Sequence, residues 1–228
     1  MTFYDELLTA TKAERENFQS LALIQHVVRN GASKDLYLDF LTQAYHHVKH
    51  TCPLLETAKS HCGPQDGLLK DALIEYIREE IGHDEWILDD IAYLGGDREA
   101  VRGGQARLPC RLMVSHAYYG IEKETPYCLL GMVHVLEGMS VSLAHHARDS
   151  IMKSFGLDKV GAADSPKGYT YLSTHGALDV SHVDFYAKLA NKVTDKGVQE
   201  VIIRAAKDFY KLYGDIFRDL GDRHIPKA

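Results

Sequence analysis

Apolar residues recur at intervals of three and four along almost the whole chain. Leu36, Phe40, Leu41, Ala44, Tyr45 and Val48 form one such stripe, and Leu69, Leu73, Tyr76, Ile77, Ile87 and Ile91 form another. That period places apolar side chains on one face of an α-helix. The pattern predicts helices over 3–29, 34–62, 66–94, 108–122, 126–155, 169–192 and 195–221. Gly31, Gly63-Pro64 and Gly95-Gly96 supply the stops, and Pro109 and Pro126 sit where a first helical turn tolerates proline. Pro53 falls inside the second stretch and predicts a kink there. Gly103-Gly104 marks a loop, as does the segment from Gly161 to Gly168. Strand-like alternation, internal repeats and low-complexity linkers are all missing from the pattern. The expectation is an all-α, single-domain bundle of about seven helices covering residues 1–228.

Composition changes this picture little but excludes several functions. Hydrophobic residues at 45% and charged residues at 25% match an ordinary globular protein with a sizeable core. A net charge of −6 leaves no electrostatic footprint for nucleic acid, and no basic helix-turn-helix element is evident. That argues against a non-enzymatic regulator acting directly on DNA. No apolar run reaches the length of a bilayer span, and the N-terminal residues lack the features of a signal peptide. Cys52, Cys62, Cys110 and Cys128 form no CxxC pair, so they read as reduced, buried residues of a cytoplasmic protein.

The chemistry is concentrated in acidic residues and histidines. His175, Asp179 and His182 are spaced by four and three residues. On a helix this sets Asp179 roughly 40° and His182 roughly −20° from His175, so all three leave one face. Imidazole with carboxylate suits iron, manganese or zinc. Glu80 and His83 are three apart, with Glu80 on the inward face beside Tyr76 and Ile77; Glu79 is the second choice. Glu137 interrupts the apolar stretch from Leu129 to Met139, where an ionised carboxylate needs a metal or a cation. His134, one turn earlier, reads as a core or supporting residue. Gly82, Gly138 and Gly176 each adjoin a candidate ligand, which points to a need for space near a shared centre. Glu80, His83, Glu137, His175, Asp179 and His182 together give three carboxylates and three imidazoles, enough for two divalent ions with open positions.

This pattern resembles that of the haem-oxygenase-like di-iron oxidase and oxygenase superfamily: Glu and His on one helix, Glu on another, then His-x3-Asp-x2-His. The segment from His26 to Gly63, with Gln43-Ala44-Tyr45, is also similar to the first helices of TenA-like and PQQ-synthase-C-like proteins, which share the fold. The resemblance implies a compact seven-helix fold, often dimeric, that holds two irons per chain and activates O2 as co-substrate. Relatives of this kind oxidise small amines, amino acids or fatty acids, and an external electron donor is a possible partner. On this basis Glu80, His83 and His175 would hold one iron, and Glu137, Asp179 and His182 the other. Tyr45 is a candidate pocket residue, and Tyr118, Tyr119 and Tyr171 are weaker ones. Arg148 or Lys49 would anchor a substrate carboxylate. A homodimer is expected through an exposed face around His46 and His50.

Three rival readings fit less well. TenA-type thiaminases carry an aspartate where this chain has Ala44, a nucleophilic cysteine near Gly131 and a glutamate where it has Gly214; Cys128 lies one turn early. A cofactor-independent PQQ-synthase-C-like enzyme, which shares the fold, is the other alternative of this kind. A haem protein would use His26, whose flanks read as ordinary helix interior, and would leave the acidic cluster unexplained.

Overall fold

The computed structural model describes residues 1–156 and 167–226, and the side chains of residues 175–180 lie outside the described set. Among the described residues the secondary structure is helical throughout, and the all-α expectation holds. In chain order the helices are α1 (Phe3–Ala10), α2 (Lys12–Gln19), α3 (Ala22–Asn30), α4 (Lys34–Val48), α5 (Thr51–Ser60) and α6 (Gly67–Glu80). They continue with α7 (His83–Tyr93), α8 (Arg98–Gly103), α9 (Leu108–Tyr119), α10 (Cys128–Ser154), α11 (Thr170–Ala190) and α12 (Lys196–His224). A π-helical turn, Gly120–Glu124, extends α9.

The count among the described residues therefore exceeds the seven expected, because three long stretches are each divided and a short helix, α8, forms between the third and fourth. The first splits at Thr11, whose hydroxyl donates back to the Leu7 carbonyl, and again at Ser20-Leu21. The second ends at Val48 and restarts at Thr51, so Pro53 occupies the first turn of α5 and does not kink a continuous helix. A missing N–H costs nothing there. The third stretch divides between Glu80 and His83. Ile81 is extended (φ −62°, ψ 123°) and Gly82 has φ 87°, a left-handed conformation that glycine adopts without strain. The apolar period runs on across this break, which is why sequence spacing alone reads one helix.

At the centre of the bundle lies α10, packed against α3, α11 and α12. Its 27 residues make it long and apolar enough to cross a membrane by length and composition, contrary to the sequence expectation. Over half of its most apolar window is buried inside the protein, as befits a core helix. Its approach to α12 is set by Gly131. A Cβ there would lie 2.6 Å from the Ala205 Cβ and 2.6 Å from the Ala206 backbone nitrogen.

One long-range contact fixes the start of α11. Its N-cap residue, Tyr169, offers no side-chain acceptor to the first-turn amides. Asp90 of α7 serves instead, accepting from the first-turn Tyr171 N at 2.8 Å and from Gly168 N, just before the helix, at 3.0 Å. Tyr37 donates its hydroxyl to the Gly168 carbonyl at 3.1 Å. Desolvation outweighs these bonds and raises the Asp90 carboxyl above its ordinary range.

Candidate metal centre

Four of the six expected ligands have described side chains, and the fold brings all four together. Glu80 ends α6 and His83 begins α7, so the turn at Gly82 folds one toward the other: His83 Nδ1 lies 3.0 Å from Glu80 Oε2. His182 arrives from α11 and Glu137 from α10. His182 Nδ1 stands 3.6 Å from Glu80 Oε1 and 3.8 Å from Glu137 Oε1. The two carboxylates are only 10% and 11% exposed, and the imidazoles 4% each. Carboxylates in so dry a place need strong compensation. His175 and Asp179 lie on the α11 backbone, about two turns and one turn before His182 respectively, and their side chains fall outside the described residues.

The choice between Glu79 and Glu80 now has a geometric basis. Glu80 shares the Nδ1 side of His182 with Glu137, whereas Glu79 is 45% exposed and binds the far nitrogen of His182, with Nε2 2.9 Å from Glu79 Oε2. A carboxylate on one imidazole nitrogen fixes the ring so that the other nitrogen points inward, an arrangement common around metal-binding histidines. His83 is steadied differently, its ring stacked on Trp86 at 4.1 Å.

Among the described residues no group of three or more His, Cys, Asp or Glu side chains is arranged to hold a metal ion as it stands. The donor set nonetheless fits iron. It is mixed nitrogen and oxygen, buried, contributed by α6, α7, α10 and α11, and its two carboxylates meet imidazoles. Glu80, His83, Glu137 and His182 are the described residues that would hold such an ion.

A mainly apolar cavity of about 190 Å³ opens beside this cluster, with Glu80 and Glu137 in its wall together with His47, Tyr76 and Ser140. Several sequence expectations about a pocket fail against it. Tyr45 is buried elsewhere, with Lys49 Nζ 5.1 Å over its ring, so neither lines the cavity. Arg148 bonds Asp149, with its Nη2 2.6 Å from the carboxylate. Of the tyrosines proposed, Tyr171 lines the cavity, Tyr118 meets His50, and Tyr119 is exposed.

His46 and His47 are buried at 2% and 4% exposure, so the exposed histidine face expected to drive dimerisation is not formed. The α4 stripe is broad enough to draw these histidines inward. His26 is outside the cavity and lies 3.3 Å from Asn30 Nδ2, a poor position for a haem ligand. The glycine argument also changes. Gly82 is needed for its left-handed backbone, and a Cβ at Gly138 would touch nothing within 4 Å. Gly176 lies among the side-chain positions outside the described set.

The thiaminase comparison gains a physical reason. Cys128 is buried beside Glu124, and desolvation with that carboxylate pushes its thiol up to about 11. Such a thiol is a poor nucleophile. The Gly131 position has no room for a cysteine side chain against α12.

His134 turns away from Glu137 into a core of aromatic rings. It lies 3.5 Å from Thr11 Oγ1 and is ringed by Tyr4, Tyr186 and Tyr210. Burial first, and the Arg15 charge second, push its pKa down to about 4. The fold thus favours the neutral ring. Above an unfolded value of about 6.5 this contribution is complete; as pH falls toward 4 the unfolded chain takes a proton that the fold refuses. Stability is expected to drop by about 1.4 kcal/mol per pH unit across that window, reaching about 3 kcal/mol for this one group. His46, also pushed down to about 4, adds to the slope. Urea unfolding near about pH 7.5 and about pH 5 checks this: the difference should shrink in His134→Gln, and an unchanged difference would remove the explanation.

The fold and this acidic, histidine-rich centre define a class. The chain belongs to the family of iron-containing redox enzymes, whose profile matches residues 38–214. Its fold is that of the haem-oxygenase-like and TenA-like helical proteins. A haem-oxygenase-like domain of unknown function from Shewanella denitrificans superposes with a TM-score of 0.84 at 17% identity, covering 98% of this chain and 93% of that one. A TenA homologue from Pseudomonas syringae gives 0.78 at 11% identity, covering 96% and 93%. A haem oxygenase from Leptospira interrogans gives 0.75 at 16% identity, covering 96% and 100%. At these identities the likeness shows fold alone. No curated protein matches the sequence significantly.

Proposed function

We propose that this protein is a non-haem di-iron oxidase or oxygenase that uses O2 to oxidise a small organic molecule. The observation that carries the reading is the convergence of Glu80, His83, Glu137 and His182 from four helices on one buried point beside a cavity. The sequence pattern adds His175 and Asp179 from α11. The family to which the chain belongs contains iron, which supports that metal over others of similar ligand preference.

When bound, iron would supply the redox chemistry that activates O2, which no side chain provides. The protein's own part is legible. Glu80 and Glu137 bring negative charge into a dry site, lowering the cost of concentrating cations there. Glu79 orients His182, and Trp86 orients His83. The apolar walls exclude water and hold the substrate against the acidic end of the cavity.

The test is anaerobic loading with Fe(II) followed by metal analysis. Close to two irons per chain are expected, falling when His175 and Asp179 are both replaced by alanine. Stoichiometry indifferent to that change would refute the reading.

A further inference from the structure

Trp86 is the only tryptophan of the chain, and the fold does not use it as core. Among the described residues its ring lies outside both the buried apolar cluster and the cavity wall. Residues three apart share a helix face, so the indole of Trp86 comes to lie over the imidazole of His83 at the start of α7. The two rings stack at 4.1 Å with 26° between their planes. His83 is buried and Trp86 part-exposed. The indole thus stands between a candidate iron ligand and solvent, on a route that does not pass through the substrate cavity. Its surroundings are acidic. α7 carries Asp84, Glu85, Asp89 and Asp90 and no lysine or arginine. Arg98 and Arg102 of α8 approach this face but are engaged by Glu85 and Asp89. A cation arriving there meets an indole ring and negative charge together.

We propose that Trp86 is the entry point for electrons from an external one-electron donor, passing them through the stacked His83 ring to the iron. Electronic coupling falls steeply across empty space and far less across π systems in contact, so the stack is the favoured path from this surface. In each step the donor loses one electron and one ferric ion becomes ferrous; no bond forms or breaks and no proton moves. The proposal rests on the function above, because a centre oxidised by O2 has to be reduced again before it can react once more. Trp86 touches neither metal nor substrate and acts through His83.

Two measurements test it. In the metal-free, full-length protein, acrylamide should quench the emission of this single tryptophan, since a donor has to reach the ring; an unquenched Trp86 would overturn the proposal. In protein loaded with Fe(II) and oxidised in air, stopped-flow absorbance follows reduction of the ferric centre by two donors. Cobalt(II) sepulchrate is a caged cation that transfers electrons from the surface without binding the metal, whereas dithionite supplies a small radical anion able to enter the cavity. Trp86→Leu should slow the caged donor on the order of tenfold relative to dithionite, and Trp86→Phe, which keeps a ring on His83, should recover most of that loss. Rates are compared at matched ferric content, so weaker iron binding does not imitate the effect. If Trp86→Leu fails to fold, Trp86→Met gives the same readout. A Trp86 that merely steadies His83 would slow both donors alike or neither, and either result overturns the proposal. A wild type that takes up no iron sinks the function above and this inference with it; iron that is bound but reduced equally well without the indole sinks this inference alone.

Discussion

Alanine at His182 is expected to cost the protein at least half of its iron. His182 Nδ1 lies within 4 Å of both buried carboxylates, at 3.6 Å from Glu80 and 3.8 Å from Glu137. Removing the ring deletes a nitrogen donor and also opens the space between two carboxylates that are about nine-tenths buried. A companion change separates donation from orientation. Glu79→Gln keeps the side chain's shape and a hydrogen-bonding group near Nε2 but loses the charge that raises the basicity of the ring. Loss of such a supporting carboxylate typically costs about 10–100-fold in metal affinity. Glu79→Gln should therefore weaken iron binding within that range while leaving stoichiometry at saturation intact. Anaerobic titration with Fe(II) reads both quantities. A Glu79→Gln protein that loses one iron outright would make Glu79 a ligand, and the assignment of the two glutamates would have to be exchanged.

The largest expected effect on stability comes from a residue with no place among the candidate ligands. Asp90→Ala removes both acceptors from the Gly168 and Tyr171 amides at the start of α11. Asp90 is 1% exposed, so solvent does not readily replace it. Each buried N–H left without a partner costs about 1–3 kcal/mol, giving a loss of about 2–6 kcal/mol for the pair. Asp90→Asn retains one carbonyl oxygen and should lose about half as much. Because α11 carries His175, Asp179 and His182, the alanine variant should also bind iron more weakly. Urea unfolding of the metal-free proteins measures the first effect. A change below about 1 kcal/mol for Asp90→Ala would mean that the α11 start is held by other contacts.

Sequence legibility follows the range of the interactions involved. Helices were readable because the three-and-four period is local, and so was the inward position of Glu80, flanked by Tyr76. The break at Ile81-Gly82 was not, because the apolar period continues across it and glycine tolerates both helical and left-handed backbone. The burial of Glu137 followed from its apolar neighbours on α10. Glu79 as a support for His182, Asp90 as a cap for α11 and His47 in the cavity wall all depend on neighbours more than a hundred or several tens of residues away in places the pattern does not mark. Tyr45 failed as a pocket residue for the same reason: its helix was correctly placed, but which neighbour met its face was not encoded locally. Arg148 has a similar history, its charge already met by the adjacent Asp149.

Iron content after anaerobic Fe(II) loading, compared between the wild type and Glu137→Ala, tests the central claim most directly. Glu137 is the carboxylate whose burial in an apolar helix has the fewest alternative explanations. The wild type is expected to retain close to two irons per chain after desalting, and Glu137→Ala clearly fewer at an unchanged fold by circular dichroism. Equal iron in the two proteins, or a wild type that takes up haem and no free iron, would contradict the account.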